Sequence, residues 1–267
     1  MKTDTLQECD AEVASEIARI EEIILQPLKR KRETSEGPGR KPVKPRNAAS
    51  IILIDGKPGD ERIVMGRRAK TLKFMPGAMV FPGGRVDRSD RSVQPVDQIH
   101  PALSQRLVTH MRGQTAETDA RALTNAAIRE LAEETGILVG RPSGNLPAHP
   151  DWHQFRDAGI APAVGTLRLL SRAITPPGNP RRFDTWFFLA RADEIHFTPE
   201  GGFAPSGELE ELQWIRPRDA IVADTREITR VMLVELMNRL KHDPGLDPEY
   251  PAPSYFSRRD RFNRKII

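Results

Sequence analysis

Ala126-Ala-Ile-Arg-Glu-Leu-Ala-Glu-Glu-Thr-Gly-Ile-Leu138 is the stretch on which the reading of this chain turns. Its spacing predicts a helix from about Asp119 to Thr135, ended by Gly136 in the left-handed conformation that glycine adopts without penalty. On a helix, residues three and four apart share a side. Glu130, Glu133 and Glu134 therefore crowd one side, while Ile128, Leu131 and Ala132 point the other way, toward a core. The i,i+4 pair Glu130/Glu134 costs a bare helix ~0.2–0.5 kcal/mol. A solvated acidic face is the plain reading of any glutamate trio. The full pattern Arg-Glu-x-x-Glu-Glu-x-Gly argues against it here, since ordinary composition yields it about once in 4,000 chains of this length. Three carboxylates near a glycine-rich strand end make an oxygen-rich site for a hard divalent cation. Mg²⁺ accepts carboxylates, waters and substrate phosphates together, and Mn²⁺ is the natural substitute.

Working outward, strands are expected at Ala49–Asp55 and Arg62–Met65 around a turn at Gly56–Asp60. A short buried strand, Met79–Phe81, runs into Pro82-Gly83-Gly84. Residues 87–118 are polar and broken by Pro95 and Pro101, with a helix at His100–Met111. Beyond the acidic helix the pattern gives a short helix at Trp152–Asp157. Strands follow at Thr166–Ala173, Phe183–Ala190 and Glu211–Ile215, and a last helix at about Arg226–Lys241. Strands mixed with helices and hairpins indicate an α+β fold, an α/β/α sandwich. Residues 1–47 form a separate segment. An amphipathic helix at 10–25 (Val13, Ile17, Ile20, Ile24) suits docking or self-association, and a basic, Pro/Gly-rich linker follows it. The main domain then spans 48–242, with a basic tail at 243–267.

The segment Arg129–Ile137 resembles the second half of the Nudix box, Gly-x5-Glu-x7-Arg-Glu-U-x-Glu-Glu-x-Gly-U with U a bulky aliphatic. The first half falls at Phe81-Pro82-Gly83-Gly84, with Asp90 in place of the first glutamate. Between Asp90 and Arg129 lie 38 residues instead of seven, an insertion at about 91–118. Closing the longer loop costs roughly 1.5 kcal/mol, which is tolerable if it leaves and returns at one place. The insertion leaves open whether Asp90 is held in position, or whether Glu117 or Asp119 takes its place. Phe74–Asp87, Ile174-Thr-Pro and Arg182–Phe188 further resemble the coenzyme A diphosphatases of the "nucleoside diphosphate-linked moiety X motif 19" branch. The resemblance covers about 48–242.

The resemblance implies a Nudix fold: a mixed β-sheet between helices, here with an insertion inside the box and an extra N-terminal helix. It implies Glu133 and Glu134 as metal ligands, with the Gly83 backbone carbonyl as a further one. Glu130 assists the metal or acts as base, and Arg129 orients it; with Glu134 these make the catalytic set. An additional acid comes from Glu208, Glu210 or Glu211. Arg67, Arg68, Lys70, Lys73, Arg181 and Arg182 are the bases placed to meet substrate phosphates. The implied reaction is Mg²⁺-dependent hydrolysis of a nucleoside diphosphate derivative, a small nucleotide-derived substrate. Coenzyme A or acyl-CoA is favoured, giving 3′,5′-ADP and (acyl-)4′-phosphopantetheine. Two other readings stand beside it. One is a non-catalytic ligand-binding module, suggested by the displaced box and Asp90. The other is an RNA-directed pyrophosphohydrolase, suggested by the basic ends.

Composition bounds these readings. The chain has 267 residues, 29% charged and 38% hydrophobic, with 23 prolines and net charge +4. Eight bases stand against two acids in 29–46 and five against one in 258–267, while seven acids face two bases in 1–28. The basic character thus lies in the end segments and not in the middle. Basic segments attract nucleic acid or anionic membranes, but 29–46 has no interleaved aromatic for base stacking. The end segment has Tyr255, Phe256 and Phe262. A single cysteine, Cys9, rules out an internal disulfide or a Cys-rich metal site. No apolar run approaches the ~18 residues of a membrane helix, no secretory signal is visible, and a cytoplasmic location is the expectation.

Overall fold

A computed structural model describes residues 2–25, 43–71, 76–113, 116–194, 202–204, 207–258 and 261–267. The elements in chain order begin with α1 (Lys2–Leu25), β1 (Arg46–Asp55), β2 (Arg62–Arg68), β3 (Met79–Val80) and β4 (Gly83–Arg85). Next come α2 (Arg88–Ser92), α3 (Pro101–His110), α4 (Glu117–Thr135), β5 (Gly140–Pro142), α5 (His153–Asp157) and β6 (Ile160–Pro162). The last are β7 (Arg168–Ile174), β8 (Phe183–Arg191), β9 (Leu209–Ile215), α6 (Pro217–Ala220), α7 (Glu227–His242), β10 (Pro253–Arg258) and β11 (Arg261–Ile266).

The main sheet has the order β11-β10-β7-β8-β1-β2-β3, with β4 on β1 and β9 on β2. It is mixed: β1 runs parallel to β8 and β10 parallel to β7, and the other pairs are antiparallel. β1 is the central strand. Its run Ala48–Ile54 is wholly buried because helices cover both faces, so the strand reads as a near-continuous apolar stretch. Side-chain alternation sends Ile51 and Leu53 into a core shared with Ile128 and Leu131 of α4. Ile52 and Ile54 enter a second core with Val231 and Leu236 of α7. The expected α/β/α sandwich is the observed architecture.

The sequence insertion is part of the packed structure. Leu103 and Leu107 of α3 are buried in the α4-side core. Arg106 Nη1 donates to the Tyr250 carbonyl at 2.7 Å, and Arg172 Nη1 donates to the His110 carbonyl at the end of α3. The α1 helix lies on α7, with Val13 and Ile20 buried and Glu16 3.3 Å from Arg230. The surface it docks on is in its own chain.

One sequence expectation needs correction here. Residues 253–266 are not a tail: β10 and β11 form a hairpin that extends the sheet, with β10 in register on β7 at Ser254↔Arg172. Tyr255 is fully buried and stacked on Phe262, ring centroids 5.4 Å apart, so it offers no exposed platform for a nucleobase. Arg264 is drawn inward to Glu235 at 3.1 Å. Sequence pattern missed this because alternation over six residues is a weak strand signal among arginines. Helix α4 is buried almost all round, Arg129 and Glu134 included, with Glu130 and Glu133 partly exposed, so it does not present the solvated acidic face that the sequence pattern argues against. The basic linker lies mostly outside the described residues, as does Lys73 with its neighbours Phe74 and Met75.

Candidate active site

Three pieces of chain meet at the site: the glycine corner between β3 and β4, the short α2, and the C-terminal half of α4. The corner sits against β1, with Gly83 opposite Ser50 and Gly84 opposite Ala49. The Ser50 hydroxyl donates to the Pro82 carbonyl at 2.8 Å. A Cβ on Gly83 would stand 2.5 Å from the Ala49 carbonyl oxygen. A Cβ on Gly84 would stand 2.4 Å from the carboxyl carbon of Glu130. Glycine is thus required at both positions by close approach, once of strand to strand and once of corner to carboxylate.

The acidic helix is joined directly to this corner. The Gly83 N–H donates to Glu134 Oε2 at 2.9 Å, across 51 residues of sequence. Arg129 is the organiser. Its Nε and Nη2 hold Asp90 at 2.8 and 3.1 Å, its Nη1 reaches Glu130 at 3.0 Å and Glu133 at 2.9 Å, and Nη2 also donates to the Arg85 carbonyl at 2.9 Å. Asp90 is completely buried and also accepts from the Asp87 N–H at 2.7 Å. This resolves what the sequence left open: Asp90 is a firmly held partner of Arg129. Asp119 instead pairs with Arg91, and Glu117 starts α4, about 18 Å along the helix from Arg129 at 1.5 Å per residue. The Asn125 side-chain amide closes the base of the insertion by donating to the carbonyls of Asp90 and Val93 at 2.9 and 3.1 Å. Nothing in the sequence singled out Asn125. Its signal was a polar residue among alanines on the buried side of a helix.

Charge in this cluster is unbalanced: Asp90, Glu130 and Glu133 share the Arg129 guanidinium, and Glu134, bound to the Gly83 N–H, adds a fourth carboxyl beside Glu130. Burial pushes Glu134 up to about 8, and the neighbouring Glu130 adds to the rise, against the Gly83 N–H and Arg68. Burial likewise pushes Glu130 up to about 7 against the pull of Arg129. Glu133 and Asp90 are raised by burial too. Burial works against the Arg129 charge, but the Asp90 hydrogen bond and the surrounding carboxylates outweigh it and raise its pKa.

A cavity of about 870 Å³ opens over the cluster, lined on the acidic side by Gly83, Gly84, Glu130 and Glu133. Glu134 is only 3% exposed and lies behind the corner. Of the other sequence candidates, Arg68, Arg181, Arg182 and Glu208 line the cavity; Arg67, Lys70, Glu210 and Glu211 do not. Arg67 is engaged elsewhere, by Glu211 at 2.7 Å and the Gly77 carbonyl at 2.8 Å. Glu211 carries a φ of 48° at the bulge where β2 pairs β9, so its carboxylate turns to the strand edge. Asp151, Lys44, Arg46 and Arg85 also line the cavity and were not anticipated.

Among the described residues, no three acidic, histidine or cysteine side chains form a ready-made metal cage. The donor set nevertheless fits Mg²⁺ or Mn²⁺, because Glu130 and Glu133 offer the cavity carboxyl oxygens, the donors these hard cations prefer. Mg²⁺ typically takes one or two carboxylates and completes its shell with waters and substrate phosphates. Glu130 and Glu133 are placed to supply the carboxylates.

Comparison with known proteins finds similar chains. The NUDIX domain family model matches residues 106–236. A Caenorhabditis elegans relative named as a nudix hydrolase is 31% identical over 189 residues, covering 66% of this chain and 53% of its own length. The acyl-coenzyme A diphosphatase NUDT19 of Gallus gallus is 28% identical over 238 residues, covering 66% of this chain and 62% of its own. This chain therefore spans less than two thirds of the length of either relative. The crystal structure of a NUDIX hydrolase from Alicyclobacillus acidocaldarius superposes with a TM-score of 0.51 at 29% identity, covering 71% of this chain and 90% of that one.

Proposed function

We propose, from the premise that this chain belongs to the Nudix superfamily, that it hydrolyses the diphosphate linkage of a nucleoside diphosphate derivative. The favoured substrate is coenzyme A or an acyl-CoA and the products are two phosphomonoesters. The observation that carries this reading is the Gly83 N–H to Glu134 contact, which sets the glycine corner on the acidic helix despite the insertion. The substrate preference rests on the branch-type flanks of the box and on the named activity of the relatives.

The chemistry follows from charge. A diphosphate repels nucleophiles because its oxygens are anionic. A bound divalent cation would neutralise that charge and stabilise the departing phosphate. Glu130 and Glu133 would hold such an ion from the cavity wall. Glu134, fixed by the Gly83 N–H, would stand behind them, and the Gly83 carbonyl would be a further oxygen donor. Arg129 restrains Glu130 and Glu133, and Asp90 fixes Arg129. Glu130 also takes the proton of the water that attacks phosphorus; the bridging P–O bond breaks and the leaving phosphate departs with that electron pair. Such proton transfer contributes typically 10²–10⁴-fold. Arg68 and Glu208 flank the same opening and adjust its charge toward the substrate phosphates.

The test is hydrolysis of a panel of coenzyme A, ADP-ribose, NADH and nucleoside triphosphates with Mg²⁺ or Mn²⁺, with the products identified by chromatography. Cleavage of coenzyme A to 3′,5′-ADP is the expected result. No turnover of any member, or turnover untouched by Glu133→Gln/Glu134→Gln, overturns the reading.

A further inference from the structure

The cavity is much longer than a diphosphate needs, and its far end differs in chemistry from the acidic end. Its floor is laid by two parallel strands. Arg46, Ala48 and Ser50 of β1 project into it at every second residue, as do Phe183, Thr185 and Phe187 of β8. Ser50 lies opposite Gly83 at the acidic end. Four residues earlier, about 13 Å at the rise of a strand, Arg46 is in register with Phe183. Lys44 and Arg181 border the cavity at that same end.

These three cations have no folding role among the described residues. The Lys44, Arg46 and Arg181 side chains make no ion pair or hydrogen bond there, and all three are exposed. Their neighbour Arg182 shows the contrast. Its Nε donates to the Thr175 carbonyl at 2.9 Å and its Nη1 to the Val43 carbonyl at 2.8 Å, and its own carbonyl accepts from the Arg46 N–H at 3.0 Å. Arg182 thus pins the start of β1 to the start of β8 and holds the other three beside one another. The sequence reading of Arg182 as a phosphate ligand gives way to this bracing role. Like charges gathered at one end of a cavity repel one another, and an anionic ligand relieves that repulsion.

We propose that Lys44, Arg46 and Arg181 form a second phosphate subsite, which takes a phosphomonoester one pentose removed from the diphosphate under attack. The inference rests on the diphosphatase reading above and deepens it. The cavity then selects nucleoside diphosphate derivatives that carry an extra phosphate on the ribose over those that lack it. A phosphomonoester bears a charge of about −1.5 to −2 at neutral pH, and the planar guanidinium forks of Arg46 and Arg181 suit its oxygens. Selectivity is strongest at low salt, because exposed charges are screened.

The experiment compares ligands that differ only in that phosphate, using the full chain. Calorimetric titration with 3′,5′-ADP and with 5′-AMP is expected to show the former binding about tenfold tighter or more, the scale of a charge-assisted hydrogen bond. In Arg46→Ala/Arg181→Ala the two affinities converge, and Arg46→Lys keeps most of the gap. In parallel, the ratio of kcat/KM for coenzyme A over 3′-dephospho-coenzyme A falls about tenfold in the double variant, with the change in KM. Equal affinities in the unaltered chain, or a gap that survives the double variant, overturn the subsite. If both coenzyme A forms are cleaved at equal efficiency, only the subsite falls. If neither is cleaved, the diphosphatase reading falls, and the two nucleotide affinities still decide the subsite.

Discussion

Two buried ionic clusters on opposite sides of β8 solve the same problem in opposite ways. Arg172 and Asp184 form a one-to-one pair, both nitrogen–oxygen contacts at 2.6–2.7 Å, with Trp186 beneath the guanidinium at 4.6 Å. Its charges cancel, and it joins the insertion to the sheet through the His110 carbonyl. The Arg129 cluster sets three carboxyl groups on one guanidinium with a fourth, Glu134, beside Glu130, and burial raises the pKa of every one of them. A balanced pair holds a fold together. Buried carboxyl groups in excess of their counter-charges disfavour the ionised form, and a cation would relieve that cost, which is why this cluster is the candidate site.

Perturbing each cluster tests that contrast. The largest expected effect is on catalysis: Glu133→Gln/Glu134→Gln lowers Mg²⁺-dependent turnover on the order of a thousandfold, since removing members of a cooperating set is costly. Far-UV circular dichroism of the variant should match the unaltered chain. Next, Asp184→Asn leaves Arg172 buried without its counter-charge and should cost about 3–5 kcal/mol in urea unfolding. If Glu134→Gln destabilises the metal-free protein by as much as Asp184→Asn does, the contrast between the clusters is wrong.

Metal sharpens the same comparison. At about 100 times the dissociation constant a ligand adds ~2.7 kcal/mol, so Mg²⁺ should raise Tm by about 5–10 °C in a chain of this size. Glu134→Gln should reduce that shift, whereas Asp184→Asn should lower Tm and keep it. Asn125→Ala strips the bonds that close the insertion and should cost about 1–3 kcal/mol, measured by chemical denaturation. Smallest is Arg67→Ala. It breaks an exposed pair with Glu211 and should change stability by no more than ~1 kcal/mol.

Much of the site was legible before folding was considered. Helical spacing placed Glu130, Glu133 and Glu134 on one turn, and Gly136 ends that helix at φ 77°. Gly83 and Gly84 stood out as a strand end needing close approach. Illegible was everything that depends on a partner remote in sequence. Asp90 looked detached because 38 residues separate it from Arg129, yet α2 and α3 pack the excess chain away and return it. Glu208 could not be separated from Glu210 and Glu211 by sequence, because its place just ahead of β9, where that strand meets β2, sets which of them meets the cavity. Arg182 looked like its neighbour Arg181 until its carbonyl partners were visible.

Residue identity and local spacing by themselves determined the layered α/β/α class, the carboxylate helix and the glycine corner, because hydrophobic period and backbone freedom are properties of neighbouring residues. Tertiary structure alone decided that the C-terminal stretch is a sheet edge, that Asp90 anchors Arg129, and that basic residues at 44, 46 and 181 share a cavity with acids at 130 and 133. Those outcomes depend on which strands pair and how chain distant in sequence is brought back, and burial at such meeting points sets the electrostatics on which the chemistry relies.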